Sequence, residues 1–175
     1  RSCLVGSEMC IRDSCNASSS FGPDHINRVT FSNINNSTSR ATNGYDNQTD
    51  FVVKLTRGKS YTLKVNTTGN STNELYAWFD WNQDKDFNDS GERIQISLNN
   101  SGDGEINVNV PTNARLGGSG LRLRVSRSNN NNPCGTTGTG EVEDYGIFIS
   151  NEDIPSCDDG IKTVSYTHLT LPTSP

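Results

Sequence analysis

Leu75-Tyr76-Ala77-Trp78-Phe79-Asp80-Trp81 and Arg93-Ile94-Gln95-Ile96-Ser97-Leu98 flank an acidic segment, Asn82-Gln83-Asp84-Lys85-Asp86-Phe87-Asn88-Asp89-Ser90-Gly91-Glu92. Both flanks alternate with period two and the first is rich in aromatic residues, the pattern of a β-strand. From Asp80 into the segment, oxygen-bearing side chains stand at every second position: Asp80, Asn82, Asp84 and Asp86, with Glu92 at its end. A tight loop brings such oxygens onto one centre, where their repulsion calls for a cation. A hard ion taking about six to eight oxygen ligands fits best, which means Ca2+. The plainer alternative is a hydrated acidic turn. The loop is not an EF-hand. That template places Gly sixth and Glu twelfth, whereas Lys85 stands sixth, Gly91 twelfth and Glu92 one residue late. Lys85 at positive φ would cost about 1 kcal/mol where Gly would be free.

Further candidate strands cover residues 26–31, 51–55, 61–65, 106–110, 121–125 and 142–149, and no segment sustains a helical period. Leu121-Arg-Leu-Arg-Val125 alternates most cleanly. Together with the two flanks, these segments predict an all-β fold, an antiparallel β-sandwich (jelly-roll or Ig-like) of about eight strands. Hydrophobic residues make up only 30% of the chain, which suffices when one face of each sheet is buried. Asn-rich stretches such as 33–36 and 129–132 read as connections. The sequons at Asn16, Asn47, Asn66 and Asn70 arise by chance in so Asn-rich a chain.

The formal net charge of −5 excludes a polybasic nucleic-acid face. No apolar run reaches membrane-span length. Residues 1–14 and 164–175 resemble translated sequencing-adapter sequence and fall outside the fold reasoning. The domain is expected over 15–150, followed at 151–163 by a linker and the start of another module. Removing the ends leaves the charge unchanged, Arg1 and Arg12 balancing Glu8 and Asp13. Of five cysteines, Cys15 and Cys134 bracket the domain and are candidates for a disulfide, the alternative being two unrelated thiols. A bridge closing so long a loop stabilises by about 4–5 kcal/mol in the chain-entropy model. Acidic loop, low hydrophobicity and candidate disulfide agree on an oxidising, calcium-rich exterior, secreted or at the cell surface.

Gly140-Glu-Val-Glu-Asp144 resembles the signature that names the GEVED domain. The resemblance extends to the acidic loop, a Val110-Pro segment, the Leu-Arg-Leu-Arg-Val strand and Pro133-Cys-Gly, and covers roughly 15–149. Lys85 departs from it, standing where the loop usually has Gly. It implies a non-catalytic β-sandwich of secreted, multimodular bacterial proteins, whose neighbours in the same chain include proteases or other hydrolases and adhesion modules. Pro155-Ser-Cys-Asp-Asp-Gly-Ile-Lys162 similarly resembles the start of a Cys-rich repeat met in such surface proteins, in which Cys157 would pair. On a strand, Glu141, Glu143 and Tyr145 point one way and Val142 and Asp144 the other. Two readings of these acids stay open. Arg122 and Arg124 pair with them across strands for a few tenths of a kcal/mol each, or Glu143 or Asp144 joins the ion loop as a ligand.

No catalytic constellation stands out. His25 is the one histidine of the trimmed chain, no Gly-x-Ser-x-Gly accompanies it, and with Pro23 and Asp24 it reads as an exposed turn. Glu141 or Glu143 with Asp80 would make a carboxylate hydrolase pair, a minor alternative. The leading expectation is a calcium-stabilised accessory module for adhesion, substrate targeting or domain spacing, the alternative a purely structural spacer. Tyr76 and Trp78 discriminate between them: exposed, they offer a platform for surface carbohydrate or protein; packed, they do not.

Overall fold

The computed structural model describes residues 15–20, 22–127 and 132–152. The adapter-like ends and the start of the Cys-rich module beyond Glu152 lie outside the described residues. Among the described residues eleven strands follow one another: β1 (Ala17–Ser19), β2 (Ile26–Phe31), β3 (Ile34–Ser37), β4 (Tyr45–Thr56), β5 (Ser60–Thr67), β6 (Glu74–Phe79), β7 (Arg93–Ile96), β8 (Asp103–Asn109), β9 (Gly117–Ser126), β10 (Gly135–Thr137) and β11 (Glu141–Ser150). They form a five-stranded sheet in the order β4-β11-β9-β6-β7, a four-stranded sheet in the order β3-β2-β5-β8, and the small pair β1-β10. No helix occurs among the described residues. The expected all-β sandwich is observed.

Alternation places Leu121, Leu123 and Val125 of β9, Leu75, Ala77 and Phe79 of β6, and Tyr145, Ile147 and Ile149 of β11 on the inner face of the larger sheet. Val29, Phe31, Leu63, Val65 and Val108 face them from the smaller one. The Phe31 and Phe79 rings join the two layers edge to face, their centroids 6.0 Å apart.

Three features differ from the sequence reading. The sandwich is mixed rather than antiparallel: β4 runs parallel to β11, and β1 to β10. The expected strand at 51–55 begins at Tyr45. Pairing with β11 jumps from Gln48 to Val52, so Thr49, Asp50 and Phe51 bulge out of the ladder. The stretch 33–36, read as a connection, contains β3, because Ile34 and Asn36 both point inward. The Asn36 amide donates to Gln48 Oε1 at 3.0 Å and to the Tyr145 hydroxyl at 3.2 Å, which satisfies a polar side chain in the interior.

Ser32 and Asn33, in the β2–β3 turn, bind the outer edge of β4. The Asn33 side chain donates to Val52 O and accepts from Lys54 N, while Ser32 Oγ donates to Lys54 O. Backbone groups that an edge strand leaves open are thereby occupied.

Candidate functional site

The acidic loop leaves β6 at Phe79 and returns at Arg93, with Phe79 N bonded to Glu92 O. Inside it, each second side chain caps the amide two residues on: Asn82 Oδ1 accepts from Asp84 N at 3.1 Å, Asp84 Oδ1 from Asp86 N at 3.1 Å, and Asp86 Oδ1 from Asn88 N at 2.8 Å. These Asx turns coil the backbone, and Gln83 and Lys85 take positive φ of 57° and 75°. Lys85 does occupy the conformation that favours glycine.

The five expected ligands fall into two groups. Asp80 and Glu92 are buried, each 1% exposed, and turn toward backbone amides. Asp80 accepts from Asp84 N and Lys85 N at 3.2 and 3.3 Å; Glu92 accepts from Trp81 N at 2.9 Å and Asp89 N at 3.4 Å. Burial raises the pKa of both, the amides partly offsetting it, and Glu92 is pushed up to about 7. Asp84 and Asp86 converge nearer the surface with Asp89, one oxygen of each lying within 4.8 Å of the others. The amide nitrogen of Asn82 donates to both Asp84 and Asp89. The donor set fits calcium: ligand oxygens about 2.3–2.6 Å from an ion lie at most about 5 Å apart, and all are hard oxygens. Asp89 escaped the sequence reading because it breaks the every-second-residue spacing. The turn that places it, Glu92 N to Asp89 O, is a backbone contact with no side-chain signature.

The Gly140-Glu-Val-Glu-Asp144 stretch opens β11, and all five residues are buried. Gly140 has φ of 118°, and a Cβ there would collide with the carbonyl oxygen of Val125. Glu141 and Glu143 do share the face of Tyr145, and that face is the sandwich interior. Glu141 accepts from Ala41 N at 2.6 Å and Ile26 N at 2.8 Å. Glu143 accepts from Thr38 Oγ1 at 2.6 Å and from the Tyr145 hydroxyl at 2.8 Å. Burial raises both pKa values, that of Glu143 to about 7. Neither comes near the acidic loop. In register, Glu141 faces Val125 and Phe79 faces Leu121, with Asp80 one residue further on, so Glu141 and Asp80 are about 17 Å apart along the strands and about 10 Å across them. That exceeds the roughly 5–9.5 Å of a glycosidase pair.

Asp144 lies on the opposite face, directly across from Arg122. The guanidinium grips it with Nε and Nη2, both at 2.7 Å, and the Tyr45 hydroxyl adds a bond at 3.0 Å. This is the expected cross-strand pair, but buried rather than exposed. Two segments cover it: residues 15–20 and 132–137, paired through β1 and β10 and joined by the Cys15–Cys134 disulfide, with Cα atoms 5.6 Å apart. Arg122 Nη1 donates to the carbonyls of Cys15 and Pro133, each at 3.0 Å. Among the described residues Arg124 has no carboxylate partner, and it donates to the carbonyls of Asn132, Cys134, Gly135 and Ser18. Burial, then its neighbour Arg122, lowers the pKa of Arg124 to about 10. The two arginines thus fasten the cover from beneath.

Tyr76 and Trp78 share that covered face at 6% and 1% exposure, packed with Phe87 of the acidic loop. They are not surface residues, since the loop folds back over them. Asp24 also departs from the exposed turn expected of it. It is buried and paired with Arg127 at 2.5 Å, while the His25 ring sits against Pro23 O and Thr68 Oγ1.

Fold and site together define a β-sandwich module with an acidic loop at one end of its central strands and a buried carboxylate strand beside it. Residues 74–148 match the family model of the GEVED domain. That match runs from β6 to β11 and contains both the loop and the signature. No curated protein matches the chain. Among solved structures, a family 123 glycoside hydrolase from Clostridium perfringens, studied for glycolipid glycan hydrolysis, is similar at 16% identity and a TM-score of 0.37, over 66% of this chain. This chain spans 24% of that one.

Proposed function

We propose that this chain is a non-catalytic, calcium-stabilised module of an exported multimodular protein, and that it spaces and orients its neighbouring domains. The convergence of Asp84, Asp86 and Asp89 above the buried Asp80 and Glu92 carries this reading. A cation there neutralises carboxylates that otherwise repel one another and fixes the approach of β6 to β7. Asp84, Asp86, Asp89 and Asn82 would hold it, with Asp80 and Glu92 bracing the backbone behind them.

Spacing is favoured over adhesion by the surfaces. The outward face of the four-stranded sheet is a ladder of paired polar side chains: Ser60 with Asn109, Thr62 with Asn107, Lys64 with Glu105, Asn66 with Asp103. Among the described residues the exposed large hydrophobics are Phe51 and Leu116, which is too little for an aromatic platform.

The test is thermal unfolding in millimolar calcium and in chelator, for the wild type and for Asp84→Asn. At an ion concentration about a hundredfold above Kd, calcium adds ~2.7 kcal/mol. The wild-type midpoint is expected to rise by several degrees, and the variant to lose that rise. Equal wild-type midpoints in both buffers would refute the ion site.

A further inference from the structure

The acidic loop and the disulfide-joined cover meet at one side chain. Phe87 lies in the loop beside Asp86, is 4% exposed, and packs with Tyr76 and Trp78. Its ring lies 5.6 Å from the Arg122 guanidinium, a cation–π contact in a desolvated setting. The same guanidinium carries the cover. Besides its carbonyl partners, Nη1 stands 3.3 Å from Cys15 Sγ. A cleft of about 390 Å³ separates loop from cover, walled by Trp78, Phe87, Asp89, Arg93 and Pro133. A second cavity of about 510 Å³, walled by Cys15, Tyr45, Arg122 and Thr136, brings solvent to the half-buried bridge.

We propose that Cys15–Cys134 is a thiol-exchangeable latch whose reactivity is set by the acidic loop through Phe87 and Arg122. While the loop is ordered, Phe87 seats Arg122, and Arg122 holds Cys15 O and Pro133 O, so the cover stays in place and the bridge half-buried. When the loop opens, Arg122 loses one wall, the cover shifts, and a dithiol enters from the Cys15 cavity. One thiolate of the dithiol attacks Cys15 Sγ and breaks the S–S bond, and Cys134 leaves as a thiolate that takes up a proton. The second thiolate then displaces Cys15, which is protonated in turn, and the reagent closes into a cyclic disulfide. Two electrons pass from the dithiol to the protein. The consequence is ion-controlled release of the cover, a regulation that rests on the calcium reading for its trigger but not for its mechanics.

The experiment follows reduction of the full-length chain by dithiothreitol under native conditions. Alkylation and peptide mass spectrometry read Cys15 and Cys134 separately from the other cysteines. Phe87→Ala is expected to speed reduction about tenfold, and Phe87→Leu, which keeps apolar bulk but not the π face, by less. Val29→Ala, in the opposite sheet and compared at matched urea stability, is expected to leave the rate near that of the wild type. Equal acceleration by Val29→Ala would mean global unfolding exposes the bond and would overturn the proposal, as would an unchanged rate in Phe87→Ala. Calcium is expected to slow reduction of the wild type and not of Phe87→Ala. If calcium raises the melting midpoint yet leaves the wild-type rate unchanged, the latch fails while the ion site stands. If it does not raise the midpoint, the ion site fails and the Phe87 variants alone decide the latch.

Discussion

Glu143→Gln should make this protein more stable at pH 8 than the wild type while leaving it equally stable at pH 4. The Glu143 carboxyl is fully buried between the sheets, and burial lifts its pKa from 4.5 to about 7. A carboxyl that holds its proton more tightly when folded gives a stability that is complete below the unfolded pKa. That stability drains away as pH rises through the folded one. The window is therefore about pH 4.5 to 7, and the loss across it is about 3 kcal/mol at 1.36 kcal/mol per pKa unit. The hydrogen bonds from Thr38 and Tyr145 partly offset the rise, yet the local geometry also accommodates the protonated form. Thr38 Oγ1 lies 2.6 Å from Glu143 Oε1 and 2.9 Å from Ile26 O, and its single hydrogen serves only one of them. With a proton on Oε1, Glu143 donates to Thr38, Thr38 donates to Ile26 O, and the Tyr145 hydroxyl donates to Oε2 while accepting from Asn36. A glutamine with its nitrogen at the Oε1 position reproduces every one of these bonds at any pH. Urea unfolding of both proteins from pH 4 to 8.5, at fixed calcium, gives the difference curve. It should be near zero at pH 4 and reach about 3 kcal/mol by pH 8. Parallel curves would show that Glu143 titrates alike in both states, and the reasoning from burial would fail.

Three further outcomes are expected. Asp144→Asn or Arg122→Met alone should lower stability by about 3–5 kcal/mol in denaturant titration, because each strands a buried charge. The paired substitution Arg122→Met/Asp144→Leu should lower it by less. Replacing both Cys15 and Cys134 by Ser should cost about 5 kcal/mol for a bridge spanning 119 residues in the chain-entropy account, with circular dichroism still reporting the sandwich. Gly140→Ala should cost at least about 2 kcal/mol from the φ of 118° alone, and a neutral result in the same titration would remove the steric explanation for this glycine.

Where the sequence was legible, the reason was local. Leu121, Leu123 and Val125 had to share a face because β-strand side chains alternate, and the acidic loop had to curl because Asx residues cap the amides two positions on. What escaped was set by contacts distant in the chain. Alternation says that Arg122 and Arg124 face away from the leucines, but not that residues 15–20 and 132–137 lie on top of them. It pairs Glu141 and Glu143 with Tyr145, yet only the packing of the second sheet makes that face an interior. The parallel partnership of β4 with β11 joins residues about a hundred positions apart and leaves no periodic trace. β3 was hidden because one of its inward residues is Asn36, a residue type that normally signals a turn.

The Ser32 and Asn33 side chains along the outer rim of β4 matter most when many copies of such a module share one polypeptide. Tethered neighbours experience one another at effective concentrations on the order of millimolar. There, an open rim is an invitation to swap strands or to zip into fibres. With Val52 O, Lys54 N and Lys54 O already taken, that stretch of β4 offers an adjoining copy no ladder to extend. A tandem string can then stay a row of separate beads. Opening this rim by Asn33→Ala is the change we would expect to turn a soluble array into a sticky one.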